Sequence, residues 1–243
     1  MSTLPLSLSA TLLAIALAAA SPTARGSPFP PPEEPPATNI EQPPPALPPS
    51  VIPLTLDPPA SVQVNSFIGH PQILSLSCES RSAVDWAAFF GVHISELAFL
   101  RGLPVSSDPD TGFVGDVRAA WGQVPPNAYG VHAGPVARLL QDYGLPAFYH
   151  LYTPWRSVLD EIAAGRPVIV WVTGHVQAGQ GQRYDAPDGH RTVVASFEHT
   201  VILVGYDRDS VIFEDEGQRY IRTLDQFMNS WQALRDMAIT TQP

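Results

Sequence analysis

The sequence predicts an α+β fold in which helices come first along the chain and an antiparallel sheet follows. Between residues 78 and 164, apolar residues recur at the three- and four-residue spacing of a buried helix face. From Val168 onward this period gives way to short runs of β-branched and aromatic residues, which are typical of strands. This separation favours N-terminal helices packed on a C-terminal antiparallel sheet.

Four helices are predicted in the first part of this region from their caps and stops. Ser77 and Ser95 are suitable N-cap residues, and Gly91 and Gly144 stand where helices are expected to end. The predicted helices are 78–90, 96–101, 135–143 and 154–164. A long loop, 108–130, separates the second from the third, and its length favours a functional or ordered segment.

The strands are predicted at 61–65, 168–172, 199–206, 210–215, 218–222 and 236–240, with one more helix at 224–231. Between the second and third of these strands lies a glycine-rich excursion, 174–191. Glycines lower the cost of reshaping a loop, so we expect either a mobile flap over Cys78 or an exposed insertion without a role.

The N-terminal quarter differs in composition from the rest. Residues 4–20 are mostly apolar or small and end in three alanines, which predicts a signal peptide (1–20) cleaved before Ser21 or, alternatively, an uncleaved membrane anchor. Fifteen of the 27 prolines fall between residues 22 and 59, which predicts an extended linker over 21–60. The folded domain is then expected at 61–243, in a secreted or membrane-anchored protein outside the cytoplasm, with possible tethering to a membrane or cell wall.

Charge and cysteine content narrow the possible functions. The formal net charge is −10, and all 13 basic residues are arginines spread along the chain. An acidic chain without basic clusters lacks the electrostatic surface that nucleic acids require, so a nucleic-acid partner is excluded. A single cysteine cannot form an internal disulfide, and we expect a monomer held together by packing alone.

That single cysteine, Cys78, begins the first predicted helix. The unpaired N–H groups of a helix N-terminus stabilise an anion, so a thiol placed there is expected to lose its proton more easily. The alternative is a small buried hydrophobic residue, which is the usual role of a free cysteine.

A base and an acid follow near the C-terminus. His199 begins the most apolar strand, and Asp215 ends the next one. If these strands pair as a hairpin around 207–210, the two side chains lie almost opposite each other, and the carboxylate can orient the imidazole. Glu214 points to the other face and is the weaker candidate. A core histidine bonded to the backbone is the alternative for His199.

Gln72 lies six residues before Cys78 and could donate its amide to a developing oxyanion, although an exposed loop amide is equally compatible with its position. No metal or other cofactor is predicted. The spacing of His175, Asp185, Asp188 and His190 matches no pattern of metal ligands and favours solvated loop residues.

Taken in chain order, Gln72, Cys78, His199 and Asp215 resemble the peptidase C39-like branch of the papain-like cysteine peptidases, over most of residues 62–240. The resemblance implies a papain-like fold and a Cys-His-Asp triad that acts on a peptide or protein substrate. Many relatives carry Cys-Gly-Pro at the nucleophile, whereas this chain has Cys78-Glu79-Ser80. A non-catalytic binding or wall-associated module with the same fold is therefore the competing hypothesis.

Overall fold

The computed structural model describes residues 57–243. The predicted signal peptide or anchor lies outside the described residues, and so does the predicted linker except for residues 57–60. No helix among residues 57–243 has the length and apolar character needed to cross a membrane.

Helices and a large antiparallel sheet make up the described part of the chain, which confirms the predicted α+β class. The helices are α1 Cys78–Phe89, α2 Glu96–Gly102, α3 Ala133–Asp142, α4 Trp155–Ala163 and α5 Leu224–Gln232. The strands are β1 Val62–Gln63, β2 Phe148–His150, β3 Val168–Thr173, β4 Gln182–Asp185, β5 Arg191–Val194, β6 Glu198–Tyr206, β7 Ser210–Asp215, β8 Gln218–Thr223 and β9 Ala238–Thr240.

The main sheet has the order β2-β9-β3-β6-β7-β8, and β1 also pairs with β6. Strand β6 is buried along its whole length, because α1 packs against it and β3 and β7 flank it. Trp86 on α1 and Trp171 on β3 are fully buried, and their indole N–H groups donate to the carbonyls of Pro167 and Val131. Indoles therefore bind the helical layer to the sheet while their N–H groups remain satisfied.

A bulge interrupts the pairing of β6 with β7. Near the hairpin turn, Gly205 is opposite Ile212, but further along Leu203 is opposite Phe213. One extra residue, Val204, therefore stands in β6 between these two pairs. A bulge of this kind shifts the register by one residue and changes which side chains share a face.

This shift decides where Asp215 points. When the register after the bulge is continued by one residue, Asp215 is opposite Val201 and shares a face with His199. Without the bulge, Asp215 would be opposite Ile202, and its carboxylate would lie on the other face of the sheet. The hairpin was predicted from the sequence, but a regular hairpin alone would have separated the two side chains.

The tip of the 174–191 excursion was expected over Cys78, but of this segment only His175 lines the cavity of Cys78, so the predicted position of the tip is wrong. Its second half forms β4, which pairs with β5. The hairpin packs on the long loop, where the hydroxyl of Tyr184 donates to the carbonyl of Ser107 and Nδ1 of His190 lies 2.9 Å from Asp108. Hydrogen bonds to that loop, rather than glycine content, determine where the tip lies.

Candidate active site

The loop that precedes α1 is fixed by ionic contacts. The buried carboxylate of Asp85 accepts the backbone N–H of His70 at 2.8 Å and lies 2.8 Å from the Nδ1 atom of the same residue. Arg81 connects Asp85, at 2.6 Å, to Glu96 on α2, at 3.2 Å. The chain therefore enters α1 along a fixed path.

Ser77 is the N-cap residue, as predicted, but its hydroxyl does not cap α1. It donates instead to the buried carboxylate of Glu96 and also lies within hydrogen-bond distance of the carbonyl of Leu74. Glu96 also accepts the backbone N–H of Ile73. The serine thus holds the loop against α2 and places Cys78 as the first residue of α1.

Cys78 is buried, with 5% of its surface exposed, and its thiol faces acidic groups. Sγ donates to Oε2 of Glu79 at 3.3 Å, and the carboxylate of Glu198 also lies within 4.8 Å. Burial, and then the charges of Glu79 and Glu198, raise the pKa of the Cys78 thiol well above its usual value. This is the opposite of the lowering expected for a thiol at a helix N-terminus, because burial and the charges of the two glutamates raise the pKa.

Glu79 and Glu198 form a buried pair that makes no ion pair with an arginine or histidine among residues 57–243. Glu79 accepts the backbone N–H of Val131 at 2.6 Å, while neither carboxylate oxygen of Glu198 has a hydrogen-bond partner among the described residues. Burial raises the pKa of Glu79 to about 7. Burial and the charge of Glu79 raise the pKa of Glu198 well above its usual value. The pair therefore retains a proton at neutral pH.

Gly130 makes room for this pair. It has φ +125°, and a Cβ at this position would lie 2.1 Å from Oε1 of Glu79 and 3.1 Å from Oε2 of Glu198. Any side chain at this position would collide with the glutamates, so the loop needs glycine where it passes them.

The second group of side chains is built around Asp215. Nε2 of His199 lies 2.7 Å from Oδ1, and Nδ1 of His175 lies 2.6 Å from Oδ2. Burial alone would raise the pKa of Asp215, but the hydrogen bonds and charges of His199 and His175 outweigh it and hold the pKa below its usual value.

Ionisation of Asp215 fixes the histidine tautomers. A carboxylate only accepts hydrogen bonds, so the facing nitrogen of each imidazole must carry a proton. Neutral His199 is then protonated on Nε2, and its Nδ1 has a lone pair available for a proton. Cys78 and His199 line the same cavity of about 100 Å³, together with Gln72, His175 and Trp121. A base and a thiol therefore meet at one cavity.

Trp121, from the long loop, covers the two histidines. Its ring centroid lies 5.5 Å from that of His175 and 5.7 Å from that of His199. The indole N–H donates to the carbonyl of Glu198 at 2.8 Å, and Phe197 packs edge-on at 5.2 Å. An apolar ring in this position shields the hydrogen bonds to Asp215 from water.

Gln72 lies at the cavity, but its amide is engaged within its own loop. Nε2 donates to the carbonyl of Leu74 at 2.7 Å and to that of Ser75 at 3.1 Å. The structure thus brings Cys78, His199 and Gln72 to one cavity and Asp215 directly behind His199. Both amide protons of Gln72 are engaged by carbonyls of its own loop in this state.

Three positions of the candidate site escaped the sequence analysis. His175 was grouped with solvated loop residues, although it lies just past β3, and β3 pairs with the strand of His199. Glu79 and Glu198 adjoin the predicted nucleophile and base in the chain. That adjacency, an acid beside each of Cys78 and His199, is the signal by which they could have been found.

Three groups of side chains in the described region have the atom types and proximity to hold a metal ion. They are Cys78 with Glu79 and Glu198, His175 with His199 and Asp215, and Asp108 with Asp110 and His190. Hydrogen bonds already engage the last two groups internally, because one ring nitrogen of each histidine faces a carboxylate oxygen. The expectation that the protein uses no metal stays a prediction.

The fold is that of a known class of cysteine peptidase. A crystal structure of a protein from Bacillus anthracis, described as a C39-like peptidase, superposes with a TM-score of 0.65 at 20% identity, covering 74% of this chain and 96% of that one. Xylellain, a cysteine protease from Xylella fastidiosa, gives a TM-score of 0.42 at 13% identity, covering 75% of this chain and 86% of its own. No protein of curated function matches the chain.

The sequence pattern of the Peptidase_C39 like family matches residues 56–239, and the chain belongs to this family. The resemblance drawn from the motif residues is thereby confirmed, and so is the papain-like form of the α+β fold. Family and fold together support a cysteine peptidase.

Proposed function

We propose that the protein hydrolyses peptide bonds outside the cytoplasm through Cys78, His199 and Asp215. The observation that carries this proposal is the 2.7 Å contact between Asp215 and Nε2 of His199. Because this contact keeps the proton on Nε2, the Nδ1 atom of the imidazole is free to accept a proton. The extracytoplasmic location rests on the apolar segment 4–20 and its alanine ending.

The raised pKa of Cys78 determines how the first step proceeds. Because the thiol is protonated at rest, His199 removes its proton as Sγ attacks the carbonyl carbon, rather than in advance. The imidazolium then donates this proton to the leaving amine, and water hydrolyses the acyl-enzyme with His199 again acting as base. Gln72 turns one amide N–H from its loop carbonyls to the oxyanion.

Replacing the nucleophile tests this proposal. Cleavage of a fluorogenic peptide library by the purified chain should fall to background in Cys78→Ala, because no acyl-enzyme can form. Glu161→Gln, which alters a buried carboxylate paired with Arg166 in another cavity, should retain activity and serves as the control. Cleavage by Cys78→Ala at the wild-type rate would rule out the mechanism.

The burial of Cys78 beside two glutamates favours a second candidate, a non-catalytic binding module. The two hypotheses differ in whether His199 activates the thiol. A peptidyl epoxide should label Cys78 in the wild-type protein and fail to label it in His199→Ala if the site is catalytic. Equal labelling of the two proteins, measured by intact mass, would favour the binding module.

A further inference from the structure

The second imidazole on Asp215 is not needed for a Cys-His-Asp triad. His199 uses only Oδ1 of the carboxylate, while His175 uses Oδ2 and lines the same cavity as Cys78. We infer that His175 is a positioning residue for the reaction, which acts by holding the carboxylate of Asp215 in the orientation that His199 requires. This inference rests on the proposed function.

Geometry shows why one imidazole is insufficient. Asp215 has only 2% of its side chain exposed, so water cannot readily donate hydrogen bonds to its carboxylate oxygens. With His199 as its only partner, the carboxylate would keep an unpaired buried oxygen and could rotate about its terminal bond. The donor on Oδ2 removes both problems, since two opposed N–H groups fix the carboxylate plane.

The backbone that carries His175 is itself tightly held. The N–H of Gln177 donates to the carbonyl of Thr173 at 2.8 Å, and the hydroxyl of Thr173 donates back to the carbonyl of Gln177 at 2.6 Å. Gly174 donates to the carbonyl of Phe197 at 2.7 Å, next to the strand of His199. These bonds fix the position of His175 although its side chain is 44% exposed.

Val176, immediately after His175, adopts φ +58°. A β-branched residue in the left-handed region is strained, and such strain persists only where the surroundings enforce it. The turn therefore keeps an unfavourable conformation that directs the imidazole to Asp215. A loop that merely connected β3 to β4 would not need this conformation.

Three substitutions separate positioning from simple packing. In His175→Asn the amide nitrogen can occupy the place of Nδ1, whereas His175→Leu has a methyl group there and cannot donate. In His175→Gln the nitrogen lies one bond further out, near the place of Nε2. We expect Leu and Gln to lower kcat about tenfold with KM unchanged, and Asn to restore most of the loss.

A spectroscopic readout complements the kinetics. The Nε2 proton of His199, bonded to buried Asp215, should give a protected downfield proton resonance. This resonance should persist in His175→Asn and broaden by exchange with water in His175→Gln and His175→Leu. The measurement needs no substrate, so it tests the positioning role even if the chain cleaves no peptide and the proposed function fails.

The outcomes are distinct. Wild-type kcat in both His175→Leu and His175→Gln, or a sharp His199 resonance in both, would overturn the inference. A loss of kcat that is as large in His175→Asn as in the other variants would also overturn it, because it would show that the hydrogen bond to Asp215 is not what matters. If His175→Leu does not fold, the comparison of Asn with Gln decides.

Discussion

Two groups of buried carboxylates flank the candidate active site, and they are neutralised in opposite ways. On the side of the thiol, Glu79 and Glu198 form no ion pair within the part of the chain that the structure describes, and burial raises their pKa values. On the side of the base, Asp215 lies between two imidazoles, which hold its pKa down despite burial. The comparison shows that burial alone does not determine the charge of an acid; its hydrogen-bond donors do.

This difference assigns separate tasks to the two sides. The raised pKa values of Glu79 and Glu198 limit the negative charge beside Cys78, while Asp215 holds His199 in the tautomer whose Nδ1 can accept a proton. Proton transfer from thiol to imidazole is thus promoted from the histidine side. Each prediction below alters one side and leaves the other intact.

The largest expected effect is the difference in kcat between a variant of Asp215 and a variant of Glu198. Asp215→Asn removes the carboxylate that fixes the tautomer of His199, and kcat should fall by at least about 100-fold with little change in KM. Glu198→Gln copies the protonated state of that residue, so kcat should stay within about threefold of wild type. Steady-state kinetics on one fluorogenic peptide checks both, and equal losses would contradict the distinction.

Thermal stability should fall as the pH rises from 5 to 8. A raised folded-state pKa means that the folded protein binds more protons, so the stabilisation is complete below the unfolded value of 4.5 and is lost as the pH passes about 7. For Glu79 this amounts to a loss on the order of 3 kcal/mol, or about 5–10 °C in Tm.

The same melting series should be run on Glu198→Gln. Burial and the charge of Glu79 raise the pKa of Glu198, and the amide does not titrate, so the contribution of Glu198 to the pH dependence is lost and the decline in Tm between pH 5 and pH 8 should be smaller than in wild type. Scanning calorimetry at several pH values measures both slopes. Parallel curves for the two proteins would show that the glutamate pair does not cause the pH dependence.

A smaller effect is expected at the thiol. Glu79→Gln removes one of the charges that raise the pKa of Cys78, while the amide oxygen can still accept the N–H of Val131. Iodoacetamide should then alkylate Cys78 about tenfold faster at pH 7.5 than in wild type, because a larger fraction is thiolate. Glu161→Gln is the control, and an unchanged rate in Glu79→Gln would mean that the charge of Glu79 does not contribute to the raised pKa of Cys78.

Much of the fold could be predicted because it follows from local patterns. The helix that starts at Cys78, the helix capped by Ser95 and the buried strand at Val168 all lie where periodicity and capping residues placed them. Caps and periodicity act within a few residues, so one sequence is sufficient to find them. The 174–191 segment was misjudged because its conformation depends on distant partners such as Asp108.

The candidate site also combines features that the local sequence predicts with features that depend on distant contacts. The sequence by itself determined the residue types and their chain order, with a cysteine at a helix start and a histidine and an acid at strand ends. The tertiary structure alone decided three further features. They are the bulge at Val204 that turns Asp215 towards His199, the arrival of His175 at the same carboxylate, and the pairing of Glu79 with Glu198.

The physical reason is distance along the chain. His175 and Asp215 are 40 residues apart, and Glu79 is 119 residues from Glu198. Their contacts depend on strand register and on which surfaces are closed to water, and both arise only when the sheet has assembled on α1. The pKa values follow in turn, because burial and neighbouring charges set them and neither is encoded locally.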